Sequence, residues 1–203
     1  MNRLQREFFE RSSVHVARDL VGCLLVRNLG VLTLTGRIVE TEAYGDATDL
    51  ASHSAVYRRS RGDILASQPG TVYVYLSYGL HYCFNIVAHE SGGGGAVLLR
   101  AVEPVEGIDE MIRLRGTSSG KRITSGPGRL TQAFGLSAVD HGADVVDGAD
   151  IMLGERSAGA DVLATARIGI TRDVDRPWRF IDASSNFVSK PHSSRSRRTL
   201  SAC

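Results

Sequence analysis

The sequence predicts an α+β domain with a mixed, mainly antiparallel, curved sheet, surrounding helices and a protruding hairpin. Two observations carry that class. Short runs rich in β-branched and aromatic residues follow one another across tight turns, as at Asn28-Leu29-Gly30 and Tyr78-Gly79. Helical periodicity is confined to a few segments and does not alternate with the strands, which argues against a doubly wound sheet. The 203 residues, 42% of them hydrophobic, suffice for one domain with a sizeable core.

In chain order, Ser12 or Ser13 can cap a helix through Val14 to Val21, which Gly22 ends. Cys23 to Val26 and Val31 to Thr35 read as a hairpin. Gly36 is expected to break that run, so that Arg37 to Tyr44 forms the next strand. Alternation along it places Glu40, Glu42 and Tyr44 on one side and Val39, Thr41 and Ala43 on the other. Gly45 to Pro69 is a long polar connection, of the kind that often carries function.

Thr71 to Leu76 and His81 to Val87 are strands with Tyr78 and Gly79 at the tip between them. Ala96 to Val102 is a buried strand that carries one arginine, Arg100. Pro104 suits the first turn of a helix to about Arg115, with Ile108, Met111 and Ile112 inward. Ser125-Gly126-Pro127-Gly128 leads into a short helix, Arg129 to Phe134. Ile151 to Leu153 and Ala166 to Ile170 look like strands, and Trp178 to Ile181 a last core segment. The domain is expected to end at Val188. Ser189 to Cys203, basic and poor in apolar residues, is expected to be a disordered tail.

A net charge of +2 says little about partners, so the distribution of charge matters more. Three widely spaced cysteines suit a reduced, cytoplasmic setting. Met1 to Arg11 is polar, without a leader's apolar region, and no run of about 18 apolar residues offers a membrane span. Neither the histidines nor the cysteines have metal-ligand spacing, so no metal site is expected.

Three groups of residues are candidates for chemistry. Tyr73, Tyr75, Tyr78 and Tyr82 crowd into ten residues of a chain with six tyrosines. They are either core filling or the walls of a cavity. Tyr78, beside a glycine at a hairpin tip, buries little in its own fold and so looks like a probe for a partner. Arg58, Arg59, Arg61, Arg113, Arg115, Lys121, Arg122 and Arg129 are either a solvated face or a phosphate-tracking surface. Backbone N–H groups where the short helix starts would add to such a surface.

Glu42 has three readings. It can pair with an arginine as a structural residue. It can act as a lone general base on a water that attacks a sugar carbon. It can also be one of two glycosidase carboxylates, which need a second acid about 5–9 Å away. Glu40 stands roughly 6–7 Å off by strand geometry, so spacing leaves that reading open. Arg100 could hold the water or the carboxylate, or be a buried ion-pair partner.

Six ordered segments then carry a resemblance. They are Arg37 to Tyr44, Ala51 to Ser54, Pro69 to Tyr75, Tyr78 to Val87, Val97 to Pro104 and Ser125 to Leu130. Together they resemble the alkyladenine (3-methyladenine) DNA glycosylase family, bacterial-type members, from about Phe9 to Val188. The resemblance implies a monofunctional enzyme that excises alkylated or deaminated purines from duplex DNA as a monomer, without cofactor or metal. By position, Glu42 matches the general base and Arg100 the residue beside its water. Tyr44, His53 and Tyr75 match the walls that hold the flipped base. Asn85 matches the residue that clashes with guanine's exocyclic amine, and Tyr78 the wedge that enters the duplex. Arg58, Arg61, Ser125, Gly126 and Arg129 are expected on the DNA backbone. The stretch Arg58 to Ala66 departs from the family's usual Arg-Thr-Pro-Arg-Asn and Met-Phe: the arginines remain, the proline and asparagine do not. Two rival classes stand beside this one: a lesion-binding module without chemistry, and a nucleoside or glycoside hydrolase using Glu40 and Glu42.

Overall fold

A computed structural model describes residues 2–56, 62–117, 120–156 and 159–190. The expected α+β class holds: among these residues eight antiparallel strands form a curled sheet with helices packed on it. After α1 (Arg6–Phe9), α2 (Ser13–Leu20) starts at Ser12, whose hydroxyl accepts from the His15 N–H. Then come β1 (Leu24–Leu29) and β2 (Leu32–Tyr44), two short helices α3 (His53–Val56) and α4 (Gly62–Leu65), and the strands β3 (Val72–Ser77), β4 (His81–Val87) and β5 (Ala96–Glu106). Helices α5 (Ile108–Arg115) and α6 (Pro127–Ala133) precede β6 (Ile151–Gly154), β7 (Val162–Thr165) and β8 (Arg179–Asp182).

Strand β2 is the axis of the molecule. One edge pairs with β5 along nearly its whole length; the other pairs with β1 through Arg37 and with β8 at Glu40 to Glu42. Gly36 does not break the run, contrary to expectation, because it lies inside this 13-residue strand. There it serves packing: a Cβ would stand 2.8 Å from Val102 and 3.0 Å from Phe134. Its missing side chain admits the C-terminal end of α6 to the sheet.

Pro104 does not open a helix either. It sits in β5 opposite Gly36, at a register shift, where a missing N–H costs no regular ladder bond. The helix waits for Gly107, whose positive φ of 73° and close approach to Leu34 and the Thr33 carbonyl exclude a side chain. With that later start Met111 is fully buried, whereas Ile108 turns outward.

A second register shift skips Val39 in the pairing of β2 with β5. Beyond it Glu40, Glu42 and Tyr44 join one polar network, while Thr41 donates to the Ala17 carbonyl of α2 at 2.7 Å. The main core lies between the sheet and its helices, with Val16, Ala17 and Leu20 of α2 and Leu130, Ala133 and Phe134 of α6. A smaller cluster of Leu65, Tyr73 and Ala96, with Ile64 and Tyr75 against it, covers another part of the sheet.

Ala166 to Ile170 is not a strand. The pairing with β8 ends at Thr165, and residues 167–170 continue as a loop. Ser189, the expected first residue of the tail, donates its N–H and hydroxyl to Glu40; residues 191–203 lie outside the described set. Among the described residues no helix is long and apolar enough to cross a membrane.

Candidate active site

A cleft of about 550 Å³ opens beside Tyr44, His53, Tyr75, Asn85, Arg100 and Ile168. That volume suits a small ligand or a single nucleobase. Glu42 lies one layer deeper. It is fully buried, and its three donors all line the cleft. Tyr44, two residues along the same strand face, donates its hydroxyl to Oε2 at 2.8 Å. Arg100, from β5, donates Nη1 to the same oxygen at 3.1 Å. The Ile168 N–H donates to Oε1 at 2.7 Å. A carboxylate oxygen has two lone pairs, so among the described residues Oε2 is saturated and Oε1 keeps one acceptor position. Burial, then the Glu42 carboxylate beside it, raise the Tyr44 phenol far above its ordinary value, which keeps it a donor.

Glu40 is used differently. Its Oε1 accepts from Arg100 Nε at 2.9 Å, Arg179 Nε at 2.8 Å and Ser189 Oγ at 2.9 Å; its Oε2 accepts the Ser189 N–H at 2.6 Å. Burial alone would raise this carboxyl, but Arg100 and Arg179 outweigh it and hold Glu40 below the usual carboxylate range. Burial likewise opposes the charge on Arg100, and Glu42 with Glu40 overcome it, so this guanidinium is more firmly protonated than a free one. Arg100 thus stands between two carboxylates and fixes both.

The walls are aromatic. The His53 ring meets Tyr75 edge-on at 4.6 Å between centroids, and its Nδ1 bonds the Tyr73 hydroxyl at 2.8 Å. Tyr73 stacks on Tyr75 at 5.3 Å. Burial raises the Tyr75 phenol, which stays neutral. Asn85, buried in β4, donates its amide to the carbonyls of Tyr73 at 3.0 Å and Cys83 at 3.3 Å, so its orientation is set by backbone.

At the mouth, Tyr78 and Gly79 both have positive φ, 51° and 70°, and the Leu80 N–H closes the turn on the Ser77 carbonyl at 3.0 Å. Positive φ at both central residues is what a twisted hairpin turn needs, and a tyrosine there is strained. Its ring is 89% exposed. The strain is therefore not offset by burial of the ring in this fold.

The expected phosphate contacts are only partly arranged for that role. Ser125 donates its N–H to Lys121 and Gly126 to Arg100, so these two amides are satisfied internally. The exposed Arg129 guanidinium lies nearby, bonded to the Ser125 carbonyl at 3.1 Å, and Pro127 of the same segment lines the cleft. Arg58 and Arg61 lie outside the described residues.

Comparison with known proteins agrees with this geometry. The family model for methylpurine-DNA glycosylase matches residues 7–186. The chain is 42% identical over 189 residues to a protein of Carboxydothermus hydrogenoformans, covering 92% of this chain and 98% of the relative. It is 45% identical over 189 residues to one of Nitrobacter winogradskyi, covering 93% and 88%. A protein of Methanocella arvoryzae is 41% identical over 191 residues, with 92% and 96% covered. All three are named, provisionally, as 3-methyladenine DNA glycosylases. The chain belongs to the methylpurine-DNA glycosylase family. It is an N-glycosyl hydrolase of the DNA-glycosylase type.

Several residues that support this glycosylase's cleft escape a reading of the sequence. Arg179 and Ser189 brace Glu40, Asp49 pairs with Arg167, and Ile168 supplies an amide to Glu42. The signals are faint: Arg167 follows an ordinary strand, and Asp49 sits among small and polar residues of a loop. A buried arginine reads the same in sequence as a surface one.

Proposed function

We propose that this enzyme excises alkylated or deaminated purines, of the 3-methyladenine, hypoxanthine and ethenoadenine class, from duplex DNA by hydrolysis of the N-glycosidic bond. One observation carries the reading: Glu42 is buried beneath the cleft floor with a single open acceptor position, on Oε1. A water held there gives its proton to Glu42 as its oxygen bonds to C1′ of the sugar. The C1′–N bond breaks, the base leaves with the electron pair, and an abasic site remains. Arg100 keeps Glu42 aimed.

The target must first leave the stack, at a cost of a few kcal/mol that is smaller for a damaged base. Tyr78 takes the vacated place. The base enters between Tyr44 and the His53–Tyr75 wall, where electron-rich rings favour a cationic purine by roughly 0.5–2 kcal/mol. Asn85, immobilised by its two backbone bonds, stands against guanine's exocyclic amine. Among the described residues no lysine lines the cleft, in keeping with hydrolysis rather than Schiff-base chemistry.

The two-carboxylate reading is disfavoured because Glu40 is held by Arg100, Arg179 and Ser189, of which only Arg100 lines the cleft, whereas all three donors to Glu42 do. Single-turnover excision from oligonucleotides carrying 3-methyladenine, ethenoadenine or hypoxanthine tests the proposal. Wild type should release the base, and Glu42→Gln should bind the lesion duplex without releasing it. Undiminished release by Glu42→Gln moves the base elsewhere; tight binding without release by wild type makes the protein a binding module.

A further inference from the structure

Glu42 cannot hold its open lone pair by itself, since that depends on where its donors point. Two of the three converge on one side chain that the reaction does not touch. Arg167 precedes Ile168, whose N–H donates to Glu42 Oε1, and its guanidinium lies 4.9 Å over the ring of Tyr44, whose hydroxyl donates to Oε2. The Trp178 ring covers the same guanidinium at 5.2 Å. The Arg167 side chain is fully buried. It is clamped by Asp49 through a fork, Nη1 to Oδ2 at 2.7 Å and Nη2 to Oδ1 at 2.8 Å, and by the Ala43 carbonyl at 3.0 Å.

We infer that the Asp49–Arg167 clamp is a positioning device for catalysis: it sets the loop 167–170 and the Tyr44 ring so that Glu42 Oε1 retains one acceptor position for water. The inference rests on Glu42 being the general base. Three features favour it over a purely structural brace. A fork-to-fork arginine–carboxylate pair fixes angle as well as distance. A buried pair is in itself weak evidence for stability, because desolvation offsets much of the attraction. Arg167 also leaves its Nε–H buried without a partner among the described residues, a cost that a pair kept for stability alone has no reason to carry. Asp49 is held below the ordinary carboxylate range, because Arg167 and the amides of Gly45 and Ala51 outweigh its burial. The clamp therefore stays charged at neutral pH.

The test is Arg167→Met, which fills similar volume and leaves Asp49 its two backbone donors. The substrate is a duplex carrying one N-methylated purine, whose ready departure keeps slow variants measurable. The single-turnover rate should fall tenfold or more while affinity for the lesion duplex stays within threefold. Arg167→Lys, which keeps the charge but not the fork, should recover part of the loss. Combined with Glu42→Gln, Arg167→Met should cost nothing further, because it acts through Glu42. An equal loss in both backgrounds, a loss confined to affinity, or a rate equal to wild type overturns the inference. If Arg167→Met does not fold, Asp49→Asn, which keeps an acceptor for one of the Gly45 and Ala51 amides and removes the charge from the clamp, carries the same expectations. Should Glu42→Gln alone leave excision intact, the general-base reading fails first and the clamp's role with it; a Glu42 effect without an Arg167 effect sinks the clamp alone.

Discussion

Replacing Glu40 by glutamine separates a brace from a reacting acid. The substitution keeps size and one oxygen but removes the charge opposite two buried guanidiniums. Arg100 would still have Glu42. Among the described residues Arg179 would then have neutral acceptors alone, the remaining side-chain oxygen, the Thr165 hydroxyl at 3.0 Å and the Lys190 carbonyl at 2.6 Å, leaving a buried cation with no carboxylate. Breaking a buried ion pair costs about 3–5 kcal/mol. Because glutamine preserves an acceptor, the lower end applies. At about 2–4 °C per kcal/mol for a chain of this size, Tm should fall by roughly 6–12 °C, read by calorimetry. Excision at 25 °C, where the variant is still folded, should fall less than about tenfold, which is 1.4 kcal/mol, since Arg100 keeps its bond to Glu42. A Tm within about 2 °C of wild type would refute the brace. Excision lost as completely as in Glu42→Gln, with the fold intact, would make Glu40 part of the chemistry.

Tyr78→Gly relieves a strained backbone and removes only exposed area, so stability should hold or rise slightly while lesion-duplex affinity drops. Base–aromatic stacking worth about 1–3 kcal/mol sets the affinity loss at roughly 5- to 150-fold; unchanged affinity by fluorescence anisotropy would mean that the ring does not enter the duplex. Gly36→Ala places a methyl against Val102 and Phe134, and overpacking of about 1–3 kcal/mol should lower the urea midpoint without changing its slope. A midpoint equal to wild type would show that α6 is not docked so closely. Glu40 is held below its ordinary 4.5 in the folded state, so its contribution is complete at neutral pH and is lost as pH falls below that value. Melting temperatures between pH 7 and pH 3 should therefore fall less steeply in Glu40→Gln than in wild type; an equal slope contradicts the assignment.

Residue order determines much of this molecule. Strand β2, the β3–β4 hairpin and the buried run of β5 follow from β-branched and aromatic spacing, and that spacing brings Glu42, Tyr44 and Arg100 within bonding range. The exposed Tyr78 was legible because a hairpin tip has no interior to offer a ring. Where the sequence misled, a local rule met a distant neighbour. Gly36 breaks strands on average, yet here Phe134, 98 residues away, needs the space of its missing side chain. Pro104 starts helices on average, yet here it matches a register shift against Gly36.

What only the tertiary structure decided is the division of labour between the two glutamates. Two positions apart on one strand, they look equivalent in sequence. Folding gives Glu40 the side chain of Arg179 and the amide and hydroxyl of Ser189, and gives Glu42 a tyrosine and the amide of Ile168. The same applies to the arginines: Arg100, Arg167 and Arg179 are buried opposite carboxylates, whereas Arg129 remains exposed. Each depends on segments more than 50 residues apart meeting in space. Pairing and burial set a charged group's role, and neither is a property of its place in the chain.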